Sequence, residues 1–290
     1  MEKLLKKGVM VILTGILMFL LQSTGLAYDG KEAPGRNVTV RVMNYNIHAG
    51  IGEDGQYNID RIADAIRSSG AEIIGLEEVD VHWGSRSNNE NEIKSLAEKL
   101  NMNYYFAPIY DFDPTVSGEP RRQYGVAVLS SFPIIHAVNH EITRLSTQTS
   151  NPSPAPAPGF PEVTINIKGA HLSFFVTHLD YRSDPSVREM QVQDMLSIIH
   201  QSQYTSILAG DLNAEPGAPE LAPLFHYFKD TWAAVNPNDP GWTYSAINPA
   251  KKIDFILADS AVQVSSSQVI NTLASDHRPV IADVVLTRGE

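Results

Sequence analysis

The chain of 290 residues contains no cysteine, so it can form neither a disulfide bridge nor a lipid-anchored N-terminal cysteine. It has 22 basic against 33 acidic residues, which argues against a long polyanion held mainly through its phosphates. It lacks the Gly-x-Ser-x-Gly elbow of many serine hydrolases. Its apolar run at residues 9–21 is shorter than the ~20 residues of a membrane-spanning helix. These absences are more consistent with a compact phosphate ester as the substrate, or with a substrate bound through a metal, than with a long polyanion.

The N-terminal segment has the order typical of an export signal. Three lysines precede the apolar run, and Gly-Leu-Ala at residues 25–27 supplies small residues for cleavage. This order predicts a signal peptide over residues 1–27 and therefore a secreted or extracytoplasmic protein. An uncleaved N-terminal anchor is the alternative.

The remainder predicts one globular domain over residues 38–287, and a hydrophobic content of 43% suits a buried core. Segments rich in β-branched residues predict strands, and apolar residues at helical spacing predict amphipathic helices. The predicted strands lie at residues 38–46, 71–76, 124–130, 163–167, 172–177, 207–209, 253–257 and 280–286, and the predicted helices at 59–69, 93–100 and 187–199.

The order of these elements predicts the fold class. Strand–helix–strand order occurs in both halves and hairpins fill the middle, so we expect an α+β protein whose mixed sheets pack face to face with helices outside. Asn58 is the predicted N-cap of the first helix and Gly70 its stop. Five prolines among residues 146–161 predict an exposed loop within the domain.

A glycine-rich segment, GIGEDG at residues 50–55, has the spacing of a dinucleotide-binding loop and follows a strand. The next helix, however, begins only near Asn58, after an Asp-Gly turn. No helix N-terminus therefore opens onto the loop, and we interpret these residues as turn glycines.

Polar side chains gather where the apolar strands end. In chain order they are Asn46, Glu78, His178, Asp211, Asn213, Asp276 and His277. Functional groups often collect at strand ends in mixed-sheet proteins. Asp254 lies inside the apolar frame of residues 253–257, where a charge is costly unless it is paired.

Each polar residue also has a simpler interpretation. Asp211 and Asn213 would satisfy backbone groups in a turn, as such residues often do. Glu78 would be a solvated loop carboxylate, His178 a buried histidine with satisfied hydrogen bonds, and Asp276 a cap. The recurrence of polar residues at so many strand ends favours a common site over these separate explanations.

The residue types predict a hard divalent cation, Mg²⁺ or Mn²⁺, because oxygen ligands are present and cysteine is not. Glu78 is the predicted metal ligand, with Asn46 beside it and Asp276 as a possible addition. Such a cation would draw charge from a phosphate oxygen, which predicts the hydrolysis of a phosphate ester.

The remaining polar residues predict the other roles of this reaction. Asp211 would orient and deprotonate the attacking water, and Asn213 would hold that water in line. His277, oriented by Asp254, and His178 would hydrogen-bond the phosphoryl oxygens as negative charge grows.

Six short motifs together resemble the endonuclease/exonuclease/phosphatase superfamily, from about residue 38 to 286. They are MNYNI (43–47), GLEEV (75–79), THLD (177–180), GDLN (210–213), IDFI (253–256) and SDHRPV (275–280). The resemblance implies a four-layer α/β/β/α sandwich of two packed mixed sheets and Mg²⁺-dependent phosphoesterase chemistry. It implies Glu78 as metal ligand, Asp211 and Asn213 as the water-activating pair, and Asp254 with His277 as a catalytic pair.

Within the superfamily the chain is similar to the metal-dependent hydrolase branch that includes the luminal domain of GPI-anchor lipid remodelling proteins. Three positions depart from the common pattern. Val126 stands where Asn is usual, His48 where many nucleases carry Asp, and Glu77 where Gln is usual. Because side chains alternate along a strand, we expect Glu77 to point away from the site and to matter little.

The leading hypothesis is a secreted, divalent-metal-dependent phosphodiesterase. Its substrate would be a lipid headgroup, a small organophosphate or a nucleic acid, and Tyr124 and Arg122 are the predicted substrate contacts. Contact with a membrane surface is a further possibility, with Phe160, Trp232 and Trp242 as candidates, and no obligate protein partner is evident. The alternatives are a catalytically degenerate phosphoester-binding protein of the same fold and an extracellular nuclease.

Overall fold

The computed structural model describes residues 36–289, in which twelve strands form two six-stranded sheets. The strands are β1 (Asn37–Asn46), β2 (Ile73–Val81), β3 (Asn103–Phe112), β4 (Arg122–Ser130), β5 (Ile134–Arg144), β6 (Ala155–Ile167), β7 (Ala170–His178), β8 (Thr205–Asp211), β9 (Phe228–Asp230), β10 (Asp254–Asp259), β11 (Gln263–Val269) and β12 (Val280–Thr287). The predicted signal peptide, residues 1–27, lies outside the described residues.

Both sheets are mixed. Their strand orders are β11-β12-β1-β2-β4-β3 and β5-β6-β7-β8-β10-β9. The pairs β1–β2 and β7–β8 run parallel, and all other pairs run antiparallel. The carboxyl ends of each parallel pair therefore lie side by side, which places the ends of four central strands at one end of the sandwich.

Residues 36–289 contain five α-helices, four of which cover the outer faces of the sheets. The five are α1 (Ile59–Ser69), α2 (Glu92–Leu100), α3 (Ser186–Ile199), α4 (Ala222–Tyr227) and α5 (Thr231–Val235). Apolar residues of α1 and α2 share a buried cluster with the first sheet, and those of α3 and α4 with the second. A third cluster fills the space between the sheets. This arrangement confirms the predicted α+β class and its four layers, and no helix among residues 36–289 is long and apolar enough to cross a membrane.

The first helix begins and ends as its sequence predicts. The Asn58 side chain accepts hydrogen bonds from the backbone N–H groups of Asp60 and Arg61, which would otherwise have no partner. Gly70 ends the helix with φ of 68°, a left-handed conformation that glycine adopts without strain. The predicted turn glycines, at residues 50–55, precede this helix. They are not its N-terminus, because the helix begins only at Ile59.

The prediction of a continuous loop over residues 146–161 is wrong for its second half, because β6 begins at Ala155. Over its first residues β6 pairs with β5 on one side only, and pairing with β7 starts at Glu162. Prolines are tolerated in such a segment because a strand with one unpaired edge can do without some N–H donors. Phe160, a candidate for membrane contact, is fully buried here and so cannot make one.

The two sheets approach closely behind the end where the four strands meet. A Cβ atom on Gly75 of β2 would lie 2.9 Å from Val176 Cγ2 and 3.1 Å from Ala209 Cβ, both on the facing sheet. Only glycine leaves room for that approach. The strands that carry the polar side chains are therefore held against each other by a tightly packed core.

Candidate active site

Three neighbouring strands of the second sheet bring His178, Asp211 and Asp254 into line. His178 ends β7 and Asp211 ends β8, and the two are paired residues of the parallel ladder. Asp254 begins β10 and is paired with Asp211 on the other side. The His178 Nε2 atom lies 3.6 Å from Asp211 Oδ2. Strand register alone thus places two carboxylates and an imidazole at the same end of three adjacent strands, with Asp211 on the middle strand.

The first sheet supplies Asn46 and Glu78, and Asn46 joins the two sheets. Its Nδ2 atom donates to Glu78 Oε1 and to Asp211 Oδ2, both at 3.1 Å. The two carboxylate oxygens therefore lie within two hydrogen-bond lengths of each other. The Asn46 Oδ1 atom accepts the His48 backbone N–H, so hydrogen bonds at both ends of the amide fix its position between the two carboxylates.

Glu78 reaches the cleft through a bulge in β2. The pairing of β2 with β4 shifts register between Leu76 and Val79, and Glu78 has φ of 57°. A left-handed backbone is unfavourable for a residue with a side chain and persists only where the surroundings hold it. The bulge redirects the Glu78 side chain, which strict alternation along the strand would place on the opposite face.

His277 lies between the two buried aspartates. Its Nδ1 atom is 3.0 Å from Asp254 Oδ2, and its Nε2 atom is 3.7 Å from Asp211 Oδ2. The ring of Tyr244 packs against the imidazole with 4.8 Å between centroids. The loop before β12 is fixed by Ser275, whose hydroxyl donates to the Asn46 carbonyl at 2.8 Å. His277 is thereby held from both sheets.

Asp276 borders the same cleft and faces His48, with Oδ1 3.5 Å from His48 Nδ1. His48 thus pairs with a carboxylate of the site, at the position where many relatives were expected to carry Asp. Asp276 keeps partial solvent exposure, unlike Asp211 and Asp254, which are 1% exposed. It is the predicted metal residue most accessible to an incoming ion.

Burial and neighbouring charges shift the pKa values of the site residues in different directions. Burial alone would lower the pKa of His277, but the carboxylates of Asp254 and Asp211 outweigh burial and raise it well above its usual range. Burial and the charge of Asp254 raise the pKa of Asp211, against the opposing influence of the two histidines. Burial opposes ionisation of Glu78, yet His178 and the bond from Asn46 together lower its pKa. Glu78 is therefore suited to remain a carboxylate.

The expectation that Glu77 points away from the site is wrong. Glu77 is fully buried between the sheets, and neither of its carboxylate oxygens has a hydrogen-bond partner. Burial, followed by the charges of Asp254 and Asp211, raises the pKa of Glu77 well above its usual range. The bulge explains the error: Glu77 shares the inner face of β2 with Ile73 and Gly75, and the bulge brings Glu78 to the cleft although it is the next residue.

Asn213 enters the site by a route that differs from the predicted one. The strand stops at Asp211, and Asn213 has φ of 50°, so side-chain alternation does not bring the two together. Instead Asp211 Oδ1 accepts the Asn213 backbone N–H at 2.9 Å, and Asn213 Nδ2 donates to the Leu179 carbonyl at 3.0 Å. The simpler turn interpretation is thus correct for Asp211 Oδ1, while Oδ2 faces the other site residues.

A cleft of about 670 Å³ opens onto these residues, a size typical of sites for small molecules. Of the predicted residues, its lining includes Glu78, Tyr124, His178, Asp211, Asn213, Asp276 and His277. Asn46 and Asp254 lie buried behind it. Burial, and then the charge of Glu78, raise the pKa of Tyr124 well above its usual range, which keeps its hydroxyl a neutral donor.

Arg122, the other predicted substrate contact, is not among the residues that line the cleft. Its Nε atom donates to the Asp113 carbonyl, and its guanidinium packs over Phe112. Two other arginines, Arg86 and Arg144, line the cleft instead. Arg86 follows Glu78 in a polar loop, which was a usable signal, whereas Arg144 ends a strand that the sequence pattern did not predict.

The donor set suits a hard divalent cation. One oxygen or nitrogen atom from each of Asp211, Asp254 and His277 lies within 4.8 Å of the others. His277, however, already shares its Nδ1 with Asp254 and has a raised pKa, whereas a metal-bound imidazole must be neutral. These three residues therefore already contact one another, and Glu78 is the carboxylate with a lowered pKa that faces the cleft.

Comparisons with known proteins agree with this geometry. A family model described as Endonuclease/Exonuclease/phosphatase family matches residues 43–277. An endonuclease/exonuclease/phosphatase from Beutenbergia cavernae is 24% identical with a TM-score of 0.68 over 86% of this chain and 72% of that one. A mannosyl-6-phosphatase from Bacteroides thetaiotaomicron is 18% identical with a TM-score of 0.63 over 84% and 99% of the two chains.

The catalytic domain of human Nocturnin, solved with a bound sulfate, is 20% identical with a TM-score of 0.64 over 89% of this chain and 100% of that one. At these identities the solved structures establish the fold, whereas the family model covers most of the chain. The chain belongs to the endonuclease/exonuclease/phosphatase family, whose members are hydrolases acting on phosphoester bonds.

Proposed function

We propose that this chain is a divalent-metal-dependent phosphoesterase that cleaves a phosphodiester by in-line attack of water. The observation that carries the proposal is the contact of Asp211 Oδ2 with groups from both sheets: it accepts the Asn46 amide and lies near both His178 and His277. A carboxylate surrounded in this way, at the bottom of an open cleft, is placed to act on water.

Glu78 would hold the cation, with Asp276 at the cleft surface as a second donor and Asn46 fixing the Glu78 carboxylate by a hydrogen bond. A bound Mg²⁺ or Mn²⁺ would withdraw charge from a phosphoryl oxygen and so favour attack at phosphorus. The lowered pKa of Glu78 supports this role, since an ionised carboxylate is the preferred ligand of a hard cation.

Asp211 would take a proton from the attacking water, whose oxygen then forms the new bond to phosphorus as the bond to the leaving oxygen breaks and that oxygen departs with the electron pair as an anion. Its raised pKa makes it a stronger base than an exposed aspartate. The backbone N–H of Asn213 fixes Oδ1, so Oδ2 keeps one orientation. Asn213 itself borders the cleft, where its side chain limits the positions open to the water.

His277 would donate a hydrogen bond to a phosphoryl oxygen as negative charge develops there. Asp254 supports this role, because its contact with Nδ1 keeps the ring protonated and oriented. His178 and the neutral Tyr124 hydroxyl line the same cleft and would add donors. Preformed donors of this kind cost no reorganisation during the reaction.

The substrate we propose is a small organophosphate. The cleft volume suits a small molecule, and a chain with a formal charge of −11 would repel a long polyanion. The protein would act outside the cytoplasm if residues 1–27 are removed as a signal peptide, which mass spectrometry of the exported chain would test. Membrane contact stays a prediction for Trp242, which is 46% exposed, whereas Trp232 is buried.

Hydrolysis of bis-p-nitrophenyl phosphate with Mg²⁺ tests the proposal. The wild-type protein should release p-nitrophenolate, excess chelator should stop the release, and Asp211→Ala should abolish it. Asp64→Asn is a matched control, because Asp64 is an exposed residue of α1 that lies outside the cleft. Equal rates with and without chelator would refute the metal role. Intact Mg²⁺ binding without turnover on any ester would favour the phosphoester-binding alternative.

A further inference from the structure

One wall of the cleft combines two arginines with aromatic rings and lies beside the catalytic groups. We call it the arginine wall: Arg86, Arg144, Trp83, Tyr110 and Tyr124, all of which line the cleft. Trp83 lies against Tyr110 and Tyr124 with ring centroids 6.1 and 5.7 Å apart. None of the proposed catalytic steps uses the two arginines.

Arg144 carries a positive charge without a carboxylate partner among the ion pairs of residues 36–289. Its three hydrogen bonds go to main-chain carbonyls: Nε to Pro158 at 2.9 Å, Nη1 to His178 at 3.2 Å and Nη2 to Gly159 at 2.8 Å. Arg144 is half-buried, and carbonyl dipoles orient a guanidinium but do not neutralise it. Burial lowers the pKa of Arg144 to about 10, so it stays charged at neutral pH.

The carboxylate that influences Arg144 electrostatically is already engaged. Asp180 forms an ion pair with Arg182 through Oδ2, and its Oδ1 accepts the Arg182 backbone N–H at 3.0 Å. The other groups that influence the pKa of Arg144 are Tyr110 and Tyr124. A protonated tyrosine hydroxyl carries no negative charge, so neither residue neutralises Arg144. The positive charge of Arg144 is therefore available to an anionic group that enters the cleft.

Arg86 is held in a fixed orientation on the same wall. Its Nε and Nη2 atoms donate to the two Asp80 oxygens at 2.8 and 2.7 Å, and its guanidinium lies 5.5 Å from the centre of the Tyr124 ring. This fork leaves Nη1 outside the pair with Asp80. A guanidinium fixed in advance loses little freedom when it binds an anion, and its planar geometry suits carboxylate and phosphate groups.

The arginine wall lies so close to the proposed catalytic residues that one small molecule can contact both. Arg144 is bonded to the carbonyl of His178, whose imidazole lies 3.6 Å from Asp211. Between the arginines the rings of Trp83, Tyr110 and Tyr124 present apolar surface. We propose that Arg144, assisted by Arg86, binds a second anionic group, a carboxylate or a phosphate, on the organic part of the phosphoester substrate. This inference rests on the proposed function and narrows its substrate class.

Three matched diesters test the second anion: p-nitrophenyl phenyl phosphate, and its analogues with a carboxylate or a phosphonate at the para position of the phenyl ring. All release the same p-nitrophenolate, so kcat/KM at fixed free Mg²⁺ compares them directly. We expect one or both charged analogues to be preferred by about tenfold or more, as a charge-assisted bidentate contact allows. The analogue that is preferred identifies the anion as a carboxylate or a phosphate.

Arg144→Met and Arg86→Met should reduce that preference, with the larger fall for Arg144→Met. A ratio of two substrates measured on one preparation does not depend on the fraction of folded protein, so partial misfolding leaves it interpretable. Arg144→Lys keeps the charge without the fork and should retain part of the preference. Arg41→Met removes a charge outside the cleft, where Arg41 pairs with Asp283, and should leave the ratio unchanged.

Equal rates on all three esters would overturn the inference while leaving the proposed function intact. So would a uniform loss for Arg144→Met, because Arg144 would then act on the reacting phosphoryl group or on the fold. If no ester is hydrolysed, calorimetric titration of phenylphosphonate, 4-carboxyphenylphosphonate and benzene-1,4-diphosphonate still measures the preference. Equal affinities there would overturn the second-anion site independently of catalysis.

Discussion

The Nδ1 atom of His277 lies 3.0 Å from Oδ2 of Asp254, although the two residues come from different sides of the sandwich. Asp254 begins β10 of the second sheet, whereas His277 precedes β12 of the first. Their contact is buried, and it leaves Nε2 facing Asp211. The pair therefore joins the two sheets at the point where we place the chemistry.

Asp254→Asn should lower kcat for bis-p-nitrophenyl phosphate by about 10²- to 10³-fold, the usual loss when a preorganised charged donor is removed. An amide keeps the shape of the side chain but no longer stabilises a protonated His277. His277→Asn should cost a similar factor, and the double variant should lose little more, because the two residues act as one unit. Additive losses in the double variant would show that they act separately.

Asn46→Asp would place a third carboxylate between Glu78 and Asp211, whose oxygens the Asn46 amide now bridges. Without a divalent cation, the variant should melt about 4–8 °C below the wild type, which corresponds to ~2 kcal/mol in a domain of this size. Mg²⁺ should recover more of the melting temperature for the variant than for the wild type, because an added carboxylate favours a cation.

Asn139→Asp is a matched control for that experiment. Like Asn46, Asn139 uses its amide both as a donor, to the Pro108 carbonyl, and as an acceptor, from the Gly159 backbone N–H, but it lies outside the cleft. Its melting temperature should not respond to Mg²⁺ more than that of the wild type. A response equal to that of Asn46→Asp would count against a cation held by Glu78 beside Asn46.

The interior of the fold was predictable from the sequence, and its edges were not. The eight strands that have neighbours on both sides all coincide with predicted strands, whereas the four edge strands, β3, β5, β9 and β11, were not predicted. Edge strands are largely half-exposed, as in the burial pattern of β11, so their apolar residues do not follow a clear period. Patterning reports burial, and only the interior strands are buried on both faces.

Most of the site residues were predictable because they lie at or next to an end of an interior strand whose register the apolar pattern fixes, whereas Glu78 lies within β2. What sequence could not supply is the bulge in β2. A one-residue shift exchanges the faces of all later side chains, so the roles expected for Glu77 and Glu78 depended on a feature without a sequence signal. The arginine wall was missed for a related reason, since Arg144 ends an edge strand.

Asp283→Asn tests the cross-strand pair that fixes the register of β1 against β12. Asp283 lies opposite Arg41 and accepts its Nε and Nη2 atoms at 2.8 and 2.9 Å, and Ser266 donates to the same carboxylate. The pair is partly exposed, so we expect a loss of only about 0.5–1 kcal/mol in the free energy of unfolding at pH 7. Urea unfolding would measure it, and kcat per folded molecule should not change.

The pH dependence of that loss follows from the bond with Arg41, which lowers the pKa of Asp283. A lowered pKa contributes stability above the unfolded value, ~4 for an aspartate, and that stability is lost as the pH falls through the folded value. The gap between wild type and Asp283→Asn should therefore close in acid. A gap that stays constant from pH 7 to pH 3 would mean that the hydrogen-bonded charge contributes nothing.

Glu77→Gln should stabilise the cation-free protein at neutral pH. Glu77 is fully buried, its oxygens lack partners, and burial raises its pKa well above the usual 4.5. The folded state then keeps a proton that the unfolded chain releases above about pH 4.5, so stability falls as the pH rises from there to the folded pKa. Glutamine fills the same space without this liability, and its amide can donate to the nearby carboxylates.

The difference in unfolding free energy between Glu77→Gln and wild type should therefore widen with rising pH. The widening cannot exceed about 1.4 kcal/mol per pH unit, the limit for one proton. Urea unfolding in chelator at pH 5, 6.5 and 8 would measure it, with the exposed Glu119→Gln as the control that shows no such trend. Parallel stability curves for Glu77→Gln and wild type would mean that Glu77 is ionised in the fold, with a neighbouring positive charge such as that of protonated His277 as its partner.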